Sequence, residues 1–318
     1  MKIKDFLIVL IAVLMVVTSC KSKLENNEKA SSDVVLPDLK LSLAQWSLHK
    51  ELQAEKLDPL DFAQVAHELG FTGIEYVSTF YKDNVLNSLY LQEMNEKASK
   101  YKVIQLLIMV DGEGNLGDID TIKRNLAVTN HHKWIDAAVR LGCHSIRVNA
   151  HGEGSAEQVS LAAIDGLTKL SLYAAPLGIN VIVENHGGYS SDGKWLTNVI
   201  KAVNLPNCGT LPDFGNFCIE TSKDANGKDE CTKNYDRYDG VAEMMPFAKA
   251  VSAKSYDFGE LGYEGTIDYN RMMSIVWDLG YSGFVGVEYE GERMPERQGI
   301  TATKNLITKC HAAYLAKK

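Results

Sequence analysis

Three stretches of this chain close an apolar run on a carboxylate: Val181-Ile182-Val183-Glu184, Cys208-Gly209-Thr210-Leu211-Pro212-Asp213 and Phe284-Val285-Gly286-Val287-Glu288. A buried strand that ends on polar groups hands them to the rim of its sheet. Acids arriving from three strands repel one another unless a positive charge lies between them, so the pattern predicts one shared cation. The first stretch continues Asn185-His186-Gly187-Gly188; His186 lies two residues beyond Glu184 and shares its face if the extended backbone persists. Each acid also has a plainer reading. Asp213 before Phe214-Gly215 suits a turn cap, and Glu288 suits a hydrogen bond to a neighbouring strand.

The acids need a scaffold that brings strand ends together. From Leu39 onward short apolar runs alternate with longer amphipathic ones, the rhythm of repeated βα units. Strands are predicted near 40–46, 72–77, 103–110, 144–149, 179–184, 208–213, 250–256 and 284–288. Asp58-Pro59 reads as an N-cap and first helical residue. Leu69-Gly70, Leu141-Gly142, Leu177-Gly178 and Leu279-Gly280 read as helix ends. Eight strands separated by helices predict closure into one (β/α)₈ TIM barrel, in which every strand end points into one mouth. The remaining strand ends offer Trp46, Glu75, Asp111, Asn149, His151 and Lys254, with Asn216 just past Asp213. Trp46 could stack on a bound ring or simply pack, and Glu75 could brace the barrel floor or meet a ligand hydroxyl. The polar loop from there to about Asp236 is the longest and is expected over the mouth.

Lys2 and Lys4 precede an apolar run from Phe6 to Val17, ending in Val17-Thr18-Ser19-Cys20. This resembles the lipobox of bacterial lipoproteins, which implies cleavage before Cys20, lipidation of that residue and residence in the cell envelope. Residues 21–36, rich in Lys, Asn, Glu and Ser, read as a flexible tether, and 37–318 as a single catalytic barrel domain. With 41 acidic against 33 basic residues the balance disfavours nucleic acid as a partner. The only membrane contact expected is the lipid anchor. Five cysteines remain after Cys20 with no C-x-x-C spacing, which argues against a thiolate zinc site. Cys218 and Cys231 flank one loop and could pair in an exported protein, leaving at least one thiol free.

Gly73-Ile74-Glu75, Glu184-Asn185-His186-Gly187-Gly188, Asp213 and Gly283-Phe284-Val285-Gly286-Val287-Glu288-Tyr289, in this order, resemble the xylose isomerase-like TIM barrels. That group holds sugar isomerases, ketose 3-epimerases and the endonuclease IV type of repair enzyme. The resemblance implies metal ligands Glu, Asp, His and Glu on barrel strands five to eight. Glu184, Asp213 and Glu288 fill three positions, while Ser252 or Lys254 stands where the histidine belongs.

Two readings follow. Three carboxylates, with water, substrate or a swung-in His151 or His186 completing the shell, suit Mn²⁺ or Mg²⁺, with Co²⁺ also suitable. Alternatively the Lys254 ammonium replaces the cation. The resemblance implies Glu184 and Glu288 as the catalytic pair that removes and returns a carbon-bound proton of an unphosphorylated sugar or glycoside. His151, His186, Asn216 and Lys254 would bind hydroxyls or the oxyanion. Elimination from a 3-keto-glycoside shares the same first step, and a non-enzymatic sugar-binding lipoprotein is a third possibility. A retaining glycosidase would want acids where Asn149 and Lys254 stand.

Overall fold

The computed structural model describes residues 38–318, so the signal-peptide and tether readings, including Cys20, lie outside the described residues. The strands are β1 (Lys40–Ala44), β2 (Gly73–Val77), β3 (Ile104–Met109), β4 (Ser145–Val148), β5 (Asn180–Glu184), β6 (Cys208–Leu211), β7 (Cys218–Lys223), β8 (Asp229–Asn234), β9 (Val251–Ser255) and β10 (Phe284–Tyr289). The helices are α1 (His49–Gln53), α2 (Phe62–Glu68), α3 (Ser88–Tyr101), α4 (Thr121–Leu141), α5 (Ala156–Ala174), α6 (Gly193–Val203), α7 (Arg237–Met244), α8 (Tyr269–Asp278) and α9 (Glu296–Leu315). All eight expected barrel strands are present. They pair in parallel in the order β6-β5-β4-β3-β2-β1-β10-β9.

The ring closes where β6 meets β9. Only isolated parallel bridges, Thr210 with Ala248 and Asp213 with Ser252, join them there. The hydrogen bonds across this seam are Lys249 N to Thr210 O (3.0 Å), Ser252 N to Pro212 O (2.9 Å) and Phe214 N to Ser252 O (3.1 Å).

Period-two alternation divides the side chains of each strand between two cores. Leu43, Ile74, Ile108, Ile146, Val181, Val183, Val251 and Val287 join the large cluster with the helices outside. Ala44, Val77, Leu107, Met109, Ile182, Leu211 and Ala250 form a separate small cluster inside the ring. The inward parity of that small cluster is the parity of Arg147, Glu184, Asp213, Ser252, Lys254 and Glu288. The strand pattern therefore aims them all into the barrel.

The helix punctuation holds as expected. Asp58 accepts a hydrogen bond from Leu60 N with Pro59 next in line. Ser155 and Gln158 form a reciprocal capping box at the start of α5. Gly70, Gly142, Gly178 and Gly280 all have φ between 70° and 82°, the left-handed turn that ends each helix or helical turn before a strand.

The expectation of a plain polar loop before Asp236 needs correction: β7 and β8 form an antiparallel hairpin there. Cys218 and Cys231 do pair in it, with Cα atoms 5.8 Å apart, while Cys143, Cys208 and Cys310 are free and buried. No described helix is long and apolar enough to cross a membrane.

Candidate active site

Glu184 ends β5, Asp213 follows β6 and Glu288 lies near the end of β10, all three nearly inaccessible to solvent. Each offers one oxygen in a group whose members lie within 4.8 Å of one another. Asn185 ties two of these strand ends together. Its amide donates to the carbonyls of Asp213 and Asn216, both at 3.0 Å, and its oxygen accepts from Asp213 N at 2.7 Å. Asp213 Oδ1 then accepts from the backbone of Gly215 and Asn216, and the Asn216 side chain donates to Glu184 Oε1. Each acid is held in place before any ligand arrives.

Two cations interleave with them. Lys254 Nζ lies 3.4 Å from Glu288 Oε1, 3.9 Å from Asp213 Oδ2 and 3.2 Å from Glu290 Oε1. Arg147 donates from Nη1 to Asp111 Oδ1 at 2.7 Å. Its Nε lies 2.8 Å from Glu184 Oε2 without making a hydrogen bond, so charge holds that contact. The five carboxylates of this network, Asp111, Glu184, Asp213, Glu288 and Glu290, face two cations; if all ionise, three negative charges remain unbalanced. Burial and that excess set the protonation. Burial pushes Glu184 up to about 7 against the pull of Arg147, with Glu288 adding to the rise. Burial likewise raises Asp213 to about 8, opposed by Lys254 and aided by its acidic neighbours. For Glu288 the burial penalty is outweighed by Lys254, Ser252 and Arg147 together, and the carboxyl lies below its ordinary value.

Ser252 stands where the resemblance expects histidine. Its Oγ lies 2.6 Å from Asp213 Oδ2 and 2.8 Å from Glu288 Oε2. One hydroxyl hydrogen serves only one of those oxygens at a time, and Asp213, the carboxyl that burial raises, is the one suited to hold a proton of its own. Three hard oxygen donors and unbalanced negative charge fit a divalent cation, which would take the place of those protons.

The other expected residues divide into two groups. His151 and His186 stand at the mouth with rings 6.1 Å apart, and His151 Nε2 donates to the His186 carbonyl. Burial and then the nearby Arg147 and Lys254 depress His186 to about 4, so it is neutral at pH 7. Trp46 is half-buried, stacked on His49 at 4.8 Å and packed on the interior cluster. Glu75 is different. It accepts from Ser42 Oγ at 2.6 Å and opens on a cavity of about 260 Å³ lined by Leu106, His144, Lys249 and Phe284, at the strand starts and so on the floor side. The roles of Arg147 and Ser252 were not read from the sequence. The signal was inward parity: Arg147 falls two residues before Asn149, and Ser252 two before Lys254.

The model of the xylose isomerase-like TIM barrel family matches residues 63–310. No curated protein matches the chain by sequence. Among solved structures, 3-keto-D-glucoside 4-epimerase from E. coli superposes with a TM-score of 0.67 at 16% identity, covering 86% of this chain and 100% of that one. A D-tagatose 3-epimerase-like protein gives 0.66 at 17% identity, over 88% and 99%. The IOLI protein with a bound zinc atom gives 0.64 at 16%, over 87% and 99%. At such identities these likenesses carry the fold alone. The family match spans most of the barrel, and the chain belongs to the xylose isomerase-like TIM barrel family.

Proposed function

We propose that this chain is a divalent-metal-dependent sugar isomerase or epimerase that moves a proton on the carbon next to a carbonyl. The observation that carries the reading is the buried convergence of Glu184, Asp213 and Glu288 inside one barrel mouth. An ion of the Mn²⁺, Mg²⁺ or Co²⁺ kind held there would polarise the sugar carbonyl as a Lewis acid.

The chain's own groups supply the rest. Glu184, buried at the end of β5 and held by Asn216 and Arg147, would be the general base that takes the proton. Glu288, on β10 beyond the seam from Glu184, would return the proton, and the Lys254 ammonium would meet the developing oxyanion. Neutral His186 and His151, with Asn216, would bind hydroxyls. Trp46 would flank the sugar from the side, while Glu75 braces the barrel floor through Ser42. An unphosphorylated substrate is favoured because the sequence has no glycine-rich phosphate cradle. The lipobox-like Val17-Thr18-Ser19-Cys20 places the enzyme, in this reading, on a lipid anchor in the cell envelope.

One neighbour acts on a 3-keto-glucoside, which favours a second reading with the same first step. Loss of the C2 hydrogen from such a substrate leaves electrons that can expel the C1 substituent, making the enzyme a lyase. Incubating free ketoses and 3-keto-glucosides in deuterated water separates these readings. Deuterium at the carbon next to the carbonyl without release supports the isomerase, and aglycone release the lyase. Glu184→Gln and Glu288→Gln should each cost about 10²–10⁴-fold in exchange. Chelation should abolish exchange and Mn²⁺ restore it. Sugar binding with no exchange by metal-loaded protein would leave only a binding protein.

A further inference from the structure

Beside the mouth lies a separate cavity of about 860 Å³. Its inner wall is the ends of the β4 and β5 units, including His151, Gly187 and Gly188, and its far wall is the disulfide-tied hairpin. It touches the acid site through shared parts. His151 lines it and bonds to the His186 carbonyl, and the hairpin's root carries Asn216, which donates to Glu184.

Three features give this cavity a chemistry. Its outer side carries Tyr189 and Trp195, ring centroids 5.8 Å apart, whose polar atoms donate to Gly154 O and Ala156 O and so fix both rings. Gly187 and Gly188 have positive φ and open space where a Cβ would stand, so backbone lines that part of the wall. The charged lining is acidic: Glu153, Asp192 and Glu220 against Lys233, itself paired with Glu220 at 2.8 Å. Fixed aromatic faces, exposed backbone and excess negative charge suit a neutral polyhydroxylated ring and reject an anionic one. The volume lies near the upper end of ordinary ligand sites, and the acid mouth is separate from it.

We infer that this cavity is a second sugar subsite, so that the substrate is a neutral disaccharide whose reacting ring enters the acid mouth while its other ring lies along Tyr189 and Trp195. This rests on the proposed sugar chemistry at the mouth.

Calorimetric titration of the metal-loaded protein with fructose against isomaltulose and lactulose, and glucose against maltose, cellobiose and phenyl glucoside, tests it. At least one disaccharide should bind about tenfold tighter than its monosaccharide, a gain of about 1.4 kcal/mol. Trp195→Ala and Tyr189→Ala should each bring that ratio towards one. If either variant fails to melt cooperatively, the Cys218→Ser/Cys231→Ser double variant, which frees the hairpin wall, should lower the same ratio. Equal affinity for every pair, no binding of any disaccharide, or a ratio indifferent to these variants overturns the subsite. A gain confined to aryl glucosides would assign the cavity to an aromatic aglycone and also overturns it. Absence of deuterium exchange with the affinity ratio intact would instead sink the chemistry at the mouth and leave the subsite standing.

Discussion

The acids in this barrel fall into two kinds by what surrounds them. Asp111 receives Arg147 and Asn149 at 2.7 Å, and Arg147 more than cancels its burial, drawing it down to about 2. Glu75 has only the Ser42 hydroxyl, its Oε2 has no hydrogen-bond partner, and burial raises it to about 8 from 4.5. A raised carboxyl lowers stability as pH rises. Below about 4.5 both folded and unfolded chains hold the proton. Between 4.5 and about 8 the unfolded chain releases it while the folded chain does not, and above about 8 the cost is complete. By pH 7 this amounts to about 3 kcal/mol. Glu75→Gln removes the titration while keeping an oxygen for Ser42. Urea unfolding should find the variant more stable than the parent by about 3–4 kcal/mol at pH 7.5, with the advantage gone at pH 4. No advantage at pH 7.5, or a loss there, would mean that Glu75 is ionised in the fold with a cation nearby.

Between elements, one of the tightest approaches near the mouth is backbone on backbone. The loop before α4 crosses the loop after β4, where Gly117 N donates to His151 O at 2.8 Å. A Cβ on Gly152 would come within 2.0 Å of the Gly117 carbonyl oxygen, and neither backbone can yield without moving His151. Gly152→Ala should therefore cost about 1–3 kcal/mol. It should also shift the His151 ring resonances while leaving those of His67 on α2 in place; unchanged His151 signals would refute the coupling. This crossing was not legible in the sequence, because two glycines far apart say nothing about which loops meet. The barrel was legible, since buried parallel strands are almost continuously apolar and left-handed glycines mark the helix ends. So were the three acids, which each close such a run. The hairpin was not, because Cys218–Lys223 and Asp229–Asn234 are polar on both faces and carry no alternation to read. Nor was the pairing of Arg147 with Asp111 and Glu184, which depends on β3, β4 and β5 standing side by side.

For the whole ring, the weakest join and the candidate ion site coincide. Every other neighbouring pair of barrel strands shares a ladder, whereas β6 and β9 share two isolated bridges. Opening should start there, since local stability follows the density of backbone pairing. One of those bridges is Asp213 with Ser252, and the three candidate ligands span the seam: Glu184 and Asp213 on its β6 side, Glu288 on the β10 side beyond β9. In the metal-free site a proton on Asp213, the Ser252 hydroxyl and Lys254 hold the acids together across it, and a bound cation would draw it tighter. Hydrogen exchange should thus find the amides of Lys249, Ser252 and Phe214 less protected than those of β2 and β3 in metal-free protein. Mn²⁺ at about a hundred times its dissociation constant should slow exchange at those three amides by up to ~100-fold, equivalent to about 2.7 kcal/mol, with smaller effects elsewhere. Glu288→Gln should lose most of that protection. Uniform slowing around the ring would mean that the ion binds away from the seam, and no slowing would mean that Lys254 alone closes it.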